Sequence, residues 1–189
     1  MKLPPSYYLR SDTVQISREL LGKVICTNFD NQLTEAIITE TEAYCGITDK
    51  ASHAYGGRRT NRTEIMYREG GCAYVYLCYG MYSLFNVVTD KVDIPHAVLI
   101  RGAKAITGIP TILKRTGKKK LTVDLLIGPG KLSKALGIHY SHTGTSLSGD
   151  LIWIEDRGIT IPETQIKSTT RIGVDYAGED AGLLYRFVC

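Results

Sequence analysis

Residues 72 to 89 restrict the fold more than any other stretch of this chain. They read Cys-Ala-Tyr-Val-Tyr-Leu-Cys-Tyr-Gly-Met-Tyr-Ser-Leu-Phe-Asn-Val-Val-Thr, aromatic and β-branched almost throughout and broken once, at Gly80-Met81. Side chains of this kind suit a pleated, half-buried surface. A single break between two such runs predicts a hairpin with its tip near Tyr79, Gly80 and Met81. A second hairpin is predicted from Lys23–Phe29, the turn residues Asp30-Asn31, and Leu33–Thr41. Further strands are expected at His96–Arg101, Leu151–Glu155 and Leu184–Val188. Consecutive strands joined by hairpins pair antiparallel, so the fold class is α+β.

Helices fill the gaps between these strands. Ser11-Asp12 with Gln15 reads as an N-cap with a capping-box partner, opening a helix to Leu21 that Gly22 stops. Asp49 is expected to cap a short helix through His53 and Ala54, and Thr60 another through Tyr67. Thr107–Arg115 reads as a helix, since Pro110 fits a first turn. Gly128-Pro129-Gly130-Lys131 opens a last helix through Leu136. No repeat, low-complexity segment or linker interrupts the sequence, which predicts one domain over residues 1–189.

The chain has 189 residues, 43% of them hydrophobic and 22% charged, a composition that supports a sizeable core and excludes general disorder. No apolar run approaches the roughly 20 residues of a membrane span, and Met-Lys-Leu-Pro-Pro-Ser-Tyr-Tyr lacks the apolar core of a signal peptide. Membrane association is therefore not expected. The five cysteines are odd in number with no Cys-x-x-Cys pair, which fits reduced thiols. His139-x-x-His142 has no cysteine partner at zinc-finger spacing, and no metal is predicted. The formal net charge is +4. Arg58, Arg59, Arg62 and Arg68 crowd one stretch, and Lys114, Arg115, Lys118, Lys119 and Lys120 another. Phosphate partners and solvated surface are both open readings of these clusters.

Three features bear on chemistry. Glu40 and Glu42 lie two apart on a strand and share a face, which Tyr44 continues if the strand lasts that long. Neighbouring buried acids resist joint ionisation, so one keeps a raised pKa and stays ready for acid or base work; a solvated strand end is the other reading. At the hairpin tip, Tyr79 and Met81 flank a glycine. Exposed there, they suit a wedge of the kind that enters DNA base steps; folded back, they join the core. Finally, Tyr44, Tyr55, Tyr67, Tyr74, Tyr76, Tyr79 and Tyr82 fall close together. Tyrosine faces stack on bases and attract cationic ones, and they also pair across strands. The glycines of Gly128-Pro129-Gly130-Lys131 fit an anion site at a helix start or simply a tight turn.

Taken in order, these residues resemble the alkyladenine (3-methyladenine) DNA glycosylase family along most of the chain. The motifs are Thr39-Glu40-Thr41-Glu42-Ala43-Tyr44, Ala51-Ser52-His53, Gly56-Gly57-Arg58, Tyr74-Val75-Tyr76, and Tyr79-Gly80-Met81-Tyr82 with Asn86. After them come Val98-Leu99-Ile100-Arg101, Gly128-Pro129-Gly130-Lys131-Leu132, Arg171-Ile172-Gly173-Val174 and Tyr176-Ala177-Gly178. The resemblance implies a single domain with a curved, mainly antiparallel sheet, surrounding helices, a protruding hairpin and no required cofactor. It implies Glu42 as general base for water, assisted by Arg101. Tyr44, His53, Tyr76 and Asn86 would line the pocket for a flipped base, with Tyr79 and Met81 at the intercalating tip. Arg58, Arg62, Gly130 and Lys131 would meet the DNA backbone. The chain departs from the family pattern at Thr63, at Lys104-Ala105 and over Glu179–Leu184, positions expected at DNA contacts and pocket edges.

The resemblance implies a monofunctional enzyme that excises alkylated or deaminated purines from double-stranded DNA. The substrate class comprises 3-methyladenine, 7-methylguanine, hypoxanthine and ethenoadenine. A monomer is expected, in the bacterial cytoplasm on the nucleoid or in a eukaryotic nucleus. A DNA-bending module without chemistry is the alternative. A carbohydrate O-glycosidase fits less well, because its two carboxylates must flank the scissile bond from two sides.

Overall fold

The longest strand, β2 (Gln32–Cys45), carries the paired glutamates, and the sheet is assembled around it. The computed structural model describes residues 1–189. In chain order the regular elements are α1 (Pro5–Tyr8), α2 (Thr13–Glu19), β1 (Val24–Phe29), β2, β3 (Ala73–Cys78), β4 (Tyr82–Thr89), β5 (His96–Thr107), α3 (Ile109–Thr116), α4 (Pro129–Leu136), β6 (Ile152–Glu155), β7 (Lys167–Thr169) and β8 (Arg186–Val188). The strand order is β3-β4-β5-β2-β1-β6, with β8 on β2 and β7 on β8. Every pairing is antiparallel. The class is α+β, as the hairpin patterns predict. No helix is long and apolar enough to cross a membrane.

One edge of β2 is covered by β5. The other is shared, with β1 opposite residues 32–37 and β8 opposite Glu40–Glu42. The helices pack on one face of the sheet, where Ile16 and Leu20, Ile112, and Leu132 and Leu136 join Ile25, Ile38, Phe85, Val98 and Ile100 in the main core.

A local irregularity decides which side chains reach the opposite face. Strict alternation along β2 would send Glu40, Glu42 and Tyr44 to the same side as Ala36 and Ile38, into the core. The β2–β5 ladder breaks on both sides of Glu40, leaving Thr39 and Arg101 outside the pairing. Bulges of this sort re-aim side chains. Beyond the break Thr41 faces α2, where its hydroxyl donates to the Ser17 carbonyl (2.8 Å). Glu40, Glu42 and Tyr44 emerge on the other face, beside Leu99 and Arg101. Gly102 permits this approach, because a Cβ there would stand 3.1 Å from the Glu40 Cβ.

Several elements differ from expectation. The Asp12 carboxylate does accept from the Gln15 N–H (2.9 Å), but the Gln15 side chain turns to Glu19 (2.9 Å), so the box is only half formed. β2 runs on to Cys45 and β5 to Thr107, longer than read, and α3 starts only at Ile109. No helix forms from Asp49 through Ala54; only a 3-10 turn, Tyr55–Gly57, follows. The Asp49 carboxylate accepts from the Ala51 N–H (3.0 Å) as a cap does, but Arg171 and the Cys45 N–H hold the same group, and the segment closes as turns. The stretch after Thr60 forms only a 3-10 turn, Glu64–Tyr67.

Candidate active site

At the centre of the re-aimed face lies Glu42, with no solvent exposure. Its Oε1 accepts the backbone N–H of Ile172 (2.8 Å), and its Oε2 the Tyr44 hydroxyl (2.8 Å). Arg101 bridges the two acids, donating from Nε to Glu40 (2.9 Å) and from Nη1 to Glu42 (3.5 Å). Arg186 of β8 donates to the same Glu40 oxygen (2.7 Å) and is tied to Thr169 of β7 (3.2 Å). Glu40 therefore fixes Arg101 and is spent on two arginines. Burial pushes the Glu42 carboxyl above the ordinary glutamate range, against the pull of Arg101, the Ile172 N–H and Tyr44. The Tyr44 phenol is pushed up by burial and by the Glu42 charge, which keeps it protonated as a donor.

Above this layer is a cavity of about 280 Å³. Tyr44, His53, Tyr76, Asn86, Tyr79 and Arg101, all singled out in the sequence, line it together. Glu42 does not; its partners Tyr44, Arg101 and Ile172 form the floor over it. The walls are aromatic. The His53 ring meets Tyr76 edge-on at 4.6 Å, and Tyr76 lies 5.4 Å from Tyr74. His53 Nδ1 bonds the Tyr74 hydroxyl (2.8 Å). Burial, then the charges of Arg62 and Arg58, push the imidazole down to about 4, so it is neutral near pH 7. Asn86 is immobilised, its Nδ2 donating to the carbonyls of Tyr74 (3.1 Å) and Leu84 (3.2 Å).

The hairpin tip stands clear of the body. Tyr79 is 87% exposed and Met81 69%. Tyr79 and Gly80 both have positive φ (51° and 69°), and the Met81 N–H closes the turn onto the Cys78 carbonyl (3.1 Å). Positive φ is uncommon for a bulky residue, yet a large ring occupies it and points to solvent. Tyr79 borders the aromatic cavity, whereas Met81 borders a different cleft across the hairpin. Gly130 and Lys131 lie on that second side. Gly130 presses against Tyr82, with a Cβ position only 2.9 Å from the ring. Arg58 and Arg62 are exposed, and their charges reach His53. The neighbouring Arg59 is engaged with Glu64 and Asp93 (both 2.8 Å).

The departures Thr63, Lys104-Ala105 and Glu179–Leu184 do not line the cavity. Thr63 is buried under its own loop, donating to the Arg58 carbonyl (3.0 Å), and Ala105 belongs to the core on the opposite face. The expectation that they form pocket edges is thus corrected. What the sequence reading missed comes mostly from the C-terminal region. Arg171, buried, grips Asp49 (2.5 and 2.9 Å) and lies 4.9 Å from the Tyr44 ring, which sets the loop carrying the Ile172 N–H. Arg-Ile-Gly-Val marked this segment without giving it a role. A backbone donor leaves no residue-type signal at all.

The arrangement can bind a flat aromatic group between tyrosine and histidine rings and set a buried carboxylate beneath it. A family model described as methylpurine-DNA glycosylase (MPG) matches residues 6–189. A protein of Clostridium perfringens is 42% identical over 195 residues, covering 99% of this chain and 95% of its own length. One from Chlamydia abortus is 45% identical over 187 residues, covering 98% and 97%. A third, from Bacillus cytotoxicus, is 44% identical over 199 residues, covering 99% and 95%. Each bears the name "Putative 3-methyladenine DNA glycosylase". The chain belongs to the methylpurine-DNA glycosylase family, and its substrate is DNA.

Proposed function

We propose that this DNA glycosylase excises alkylated and deaminated purines, of the 3-methyladenine, 7-methylguanine, hypoxanthine and ethenoadenine class, by attack of a Glu42-activated water. The observation that carries this reading is the buried Glu42 carboxylate below an aromatic cavity. A stacked base is out of reach inside a duplex, so the target must leave the helix, at about a few kcal/mol. The exposed Tyr79 fills the gap. The flipped purine stacks against Tyr76, Tyr44 and His53, where a cationic alkylated base gains cation–π attraction. The fixed Asn86 narrows the space for the exocyclic amino group of normal guanine.

Cleavage of the N-glycosidic bond builds positive charge on the sugar. Glu42 as carboxylate stabilises that charge and takes a proton from water. To reach Glu42, the water replaces the Tyr44 hydroxyl at Oε2, beside Arg101. Neutral His53 accepts a hydrogen bond from the Tyr74 hydroxyl at Nδ1 and donates one from Nε2–H to the leaving base, which matters for uncharged lesions such as hypoxanthine. No lysine lines the cavity, so water is the nucleophile and the product is an uncut strand with an abasic site. The enzyme acts as a monomer.

Matched duplexes carrying hypoxanthine, ethenoadenine, 7-methylguanine or only normal bases test the reading. Wild type should release the lesions and leave intact, alkali-sensitive strands. Glu42→Gln should lose about 10²–10⁴-fold in release with duplex affinity retained. Release undiminished in Glu42→Gln would overturn the mechanism. Binding to damaged or bent DNA without release from any lesion would overturn the substrate assignment.

A further inference from the structure

The hairpin walls off two depressions. Tyr79 borders the aromatic cavity, and on the far side Met81 and Tyr82 border a wider cleft of about 900 Å³. The opposite bank is the loop after α3, which brings Lys118, Lys119 and Lys120, and the outer side of α4, which brings Lys131 and Lys134. All five side chains are exposed, and none forms an ion pair. Asp124 is the single acid in the lining. Like charges crowded in a concave surface repel one another, and a surplus of unpaired cations there is the electrostatic footprint of a polyanion.

The cleft is also fixed relative to the active site. The Gly128 N–H at the start of α4 donates to the Arg101 carbonyl (2.9 Å), and Gly130 abuts Tyr82. The hairpin, Arg101 and α4 with its Lys131 and Lys134 are therefore held against one another. A wedge that fills the place of a flipped nucleotide stands between that nucleotide and its former partner. The two strands then pass on opposite sides of the hairpin. The lesion strand passes on the side of the cavity, and the other side offers the lysines. We propose that this cleft holds the sugar–phosphate backbone of the strand paired to the lesion strand, with Lys118, Lys119 and Lys120 neutralising its phosphates. The inference rests on the reading of Tyr79 as a wedge in duplex DNA.

Affinity for a hypoxanthine duplex, measured between about 50 and 200 mM salt, tests it with the full chain and a Lys118→Ala/Lys119→Ala/Lys120→Ala variant. About 0.9 counterion is released per neutralised phosphate of B-DNA, so the variant's slope of log K against log salt should be shallower by roughly 2 to 3. Its single-turnover release at saturating enzyme should match wild type. Methylphosphonates placed in the paired strand should weaken wild type and leave the variant unaffected, while those in the lesion strand should weaken both alike. An unchanged salt slope, or insensitivity of the variant to lesion-strand methylphosphonates instead, overturns the cleft assignment while wild-type release stands. Wild type that neither binds the duplex nor releases base overturns the glycosylase reading itself, and the cleft with it.

Discussion

Glu42 sits where a carboxylate is hard to keep charged, and this ties its chemistry to the stability of the fold. Its folded-state pKa is raised above the ordinary 4.5 by burial. The folded protein thus holds that proton more tightly than the unfolded chain does. The resulting contribution to stability is fully present below the unfolded value and is lost as pH rises through the folded one. Once ionised, Glu42 is a net burden. Glu42→Gln should therefore melt above wild type, by a margin that grows as pH rises above 4.5 and through the raised folded-state value. A margin that shrank with rising pH would show that the bonds from Ile172, Tyr44 and Arg101 outweigh burial. The same titration shapes the rate. Release needs the carboxylate, so its acid limb should lie above the usual glutamate range and vanish in Glu42→Gln, and neutral His53 should add no limb near pH 7. The pairing of Glu40 with Glu42 was legible in the sequence from alternation alone. Their face was not, because the break at Thr39 and Arg101 reverses the side on which alternation would place them.

Among the elements, the β3–β4 hairpin was the most legible, because a lone glycine between two aromatic runs leaves few alternatives. Its strained turn was hidden, since composition does not say which residue takes the left-handed conformation. Tyr79 takes it at φ 51° while 87% exposed, so the ring adds little to the packing. Asn tolerates that conformation better. Tyr79→Asn should stabilise the protein by about 1 kcal/mol and lower lesion release about tenfold or more, a loss of at least ~1.4 kcal/mol of wedge energy. Unchanged release would remove Tyr79 from the flipping step. Gly130 makes the complementary case. Gly→Ala in a helix is normally favourable by about 0.5–1 kcal/mol, but here the new Cβ would stand 2.9–3.1 Å from the Cδ1, Cβ and Cγ atoms of Tyr82. Gly130→Ala should therefore lower both the melting temperature and release, by forcing the hairpin away from α4. The lengths of β2 and β5 escaped the sequence because their outer halves carry charged and small residues. Gly102, Ala103, Lys104 and Ala105 carry none of the branched or aromatic side chains that mark a strand, yet pairing with Glu40, Ile38, Ile37 and Ala36 holds them in the sheet.

Across the whole molecule, the last residues of the chain complete a site whose acids lie near its beginning. β8 covers the free edge of β2, Arg186 shares Glu40 with Arg101, and the Ile172 N–H reaches Glu42. None of this could be read locally, because Arg186 meets Glu40 across 146 residues of sequence and Ile172 meets Glu42 across 130, and both contacts depend on the sheet order. The arrangement separates two jobs within one three-residue strand, and that separation can be measured. Phe187 is buried in the main core beneath α2. Phe187→Ala should cost about 3–5 kcal/mol of stability and leave release per folded molecule near wild type. Arg186 is partly exposed and Glu40 keeps Arg101 as a partner, so truncating Arg186 should cost less stability than Phe187→Ala. Loss of Arg186 frees Glu40 from the β8 side and lets Arg101 swing between the two acids. Arg186→Ala should therefore lower single-turnover release about tenfold, equivalent to ~1.4 kcal/mol, at unchanged duplex affinity, and Arg186→Lys should restore part of it. Equal rates in Arg186→Ala and wild type would mean that β8 only closes the sheet, and that Arg101 keeps its place through Glu40 and the bulge alone.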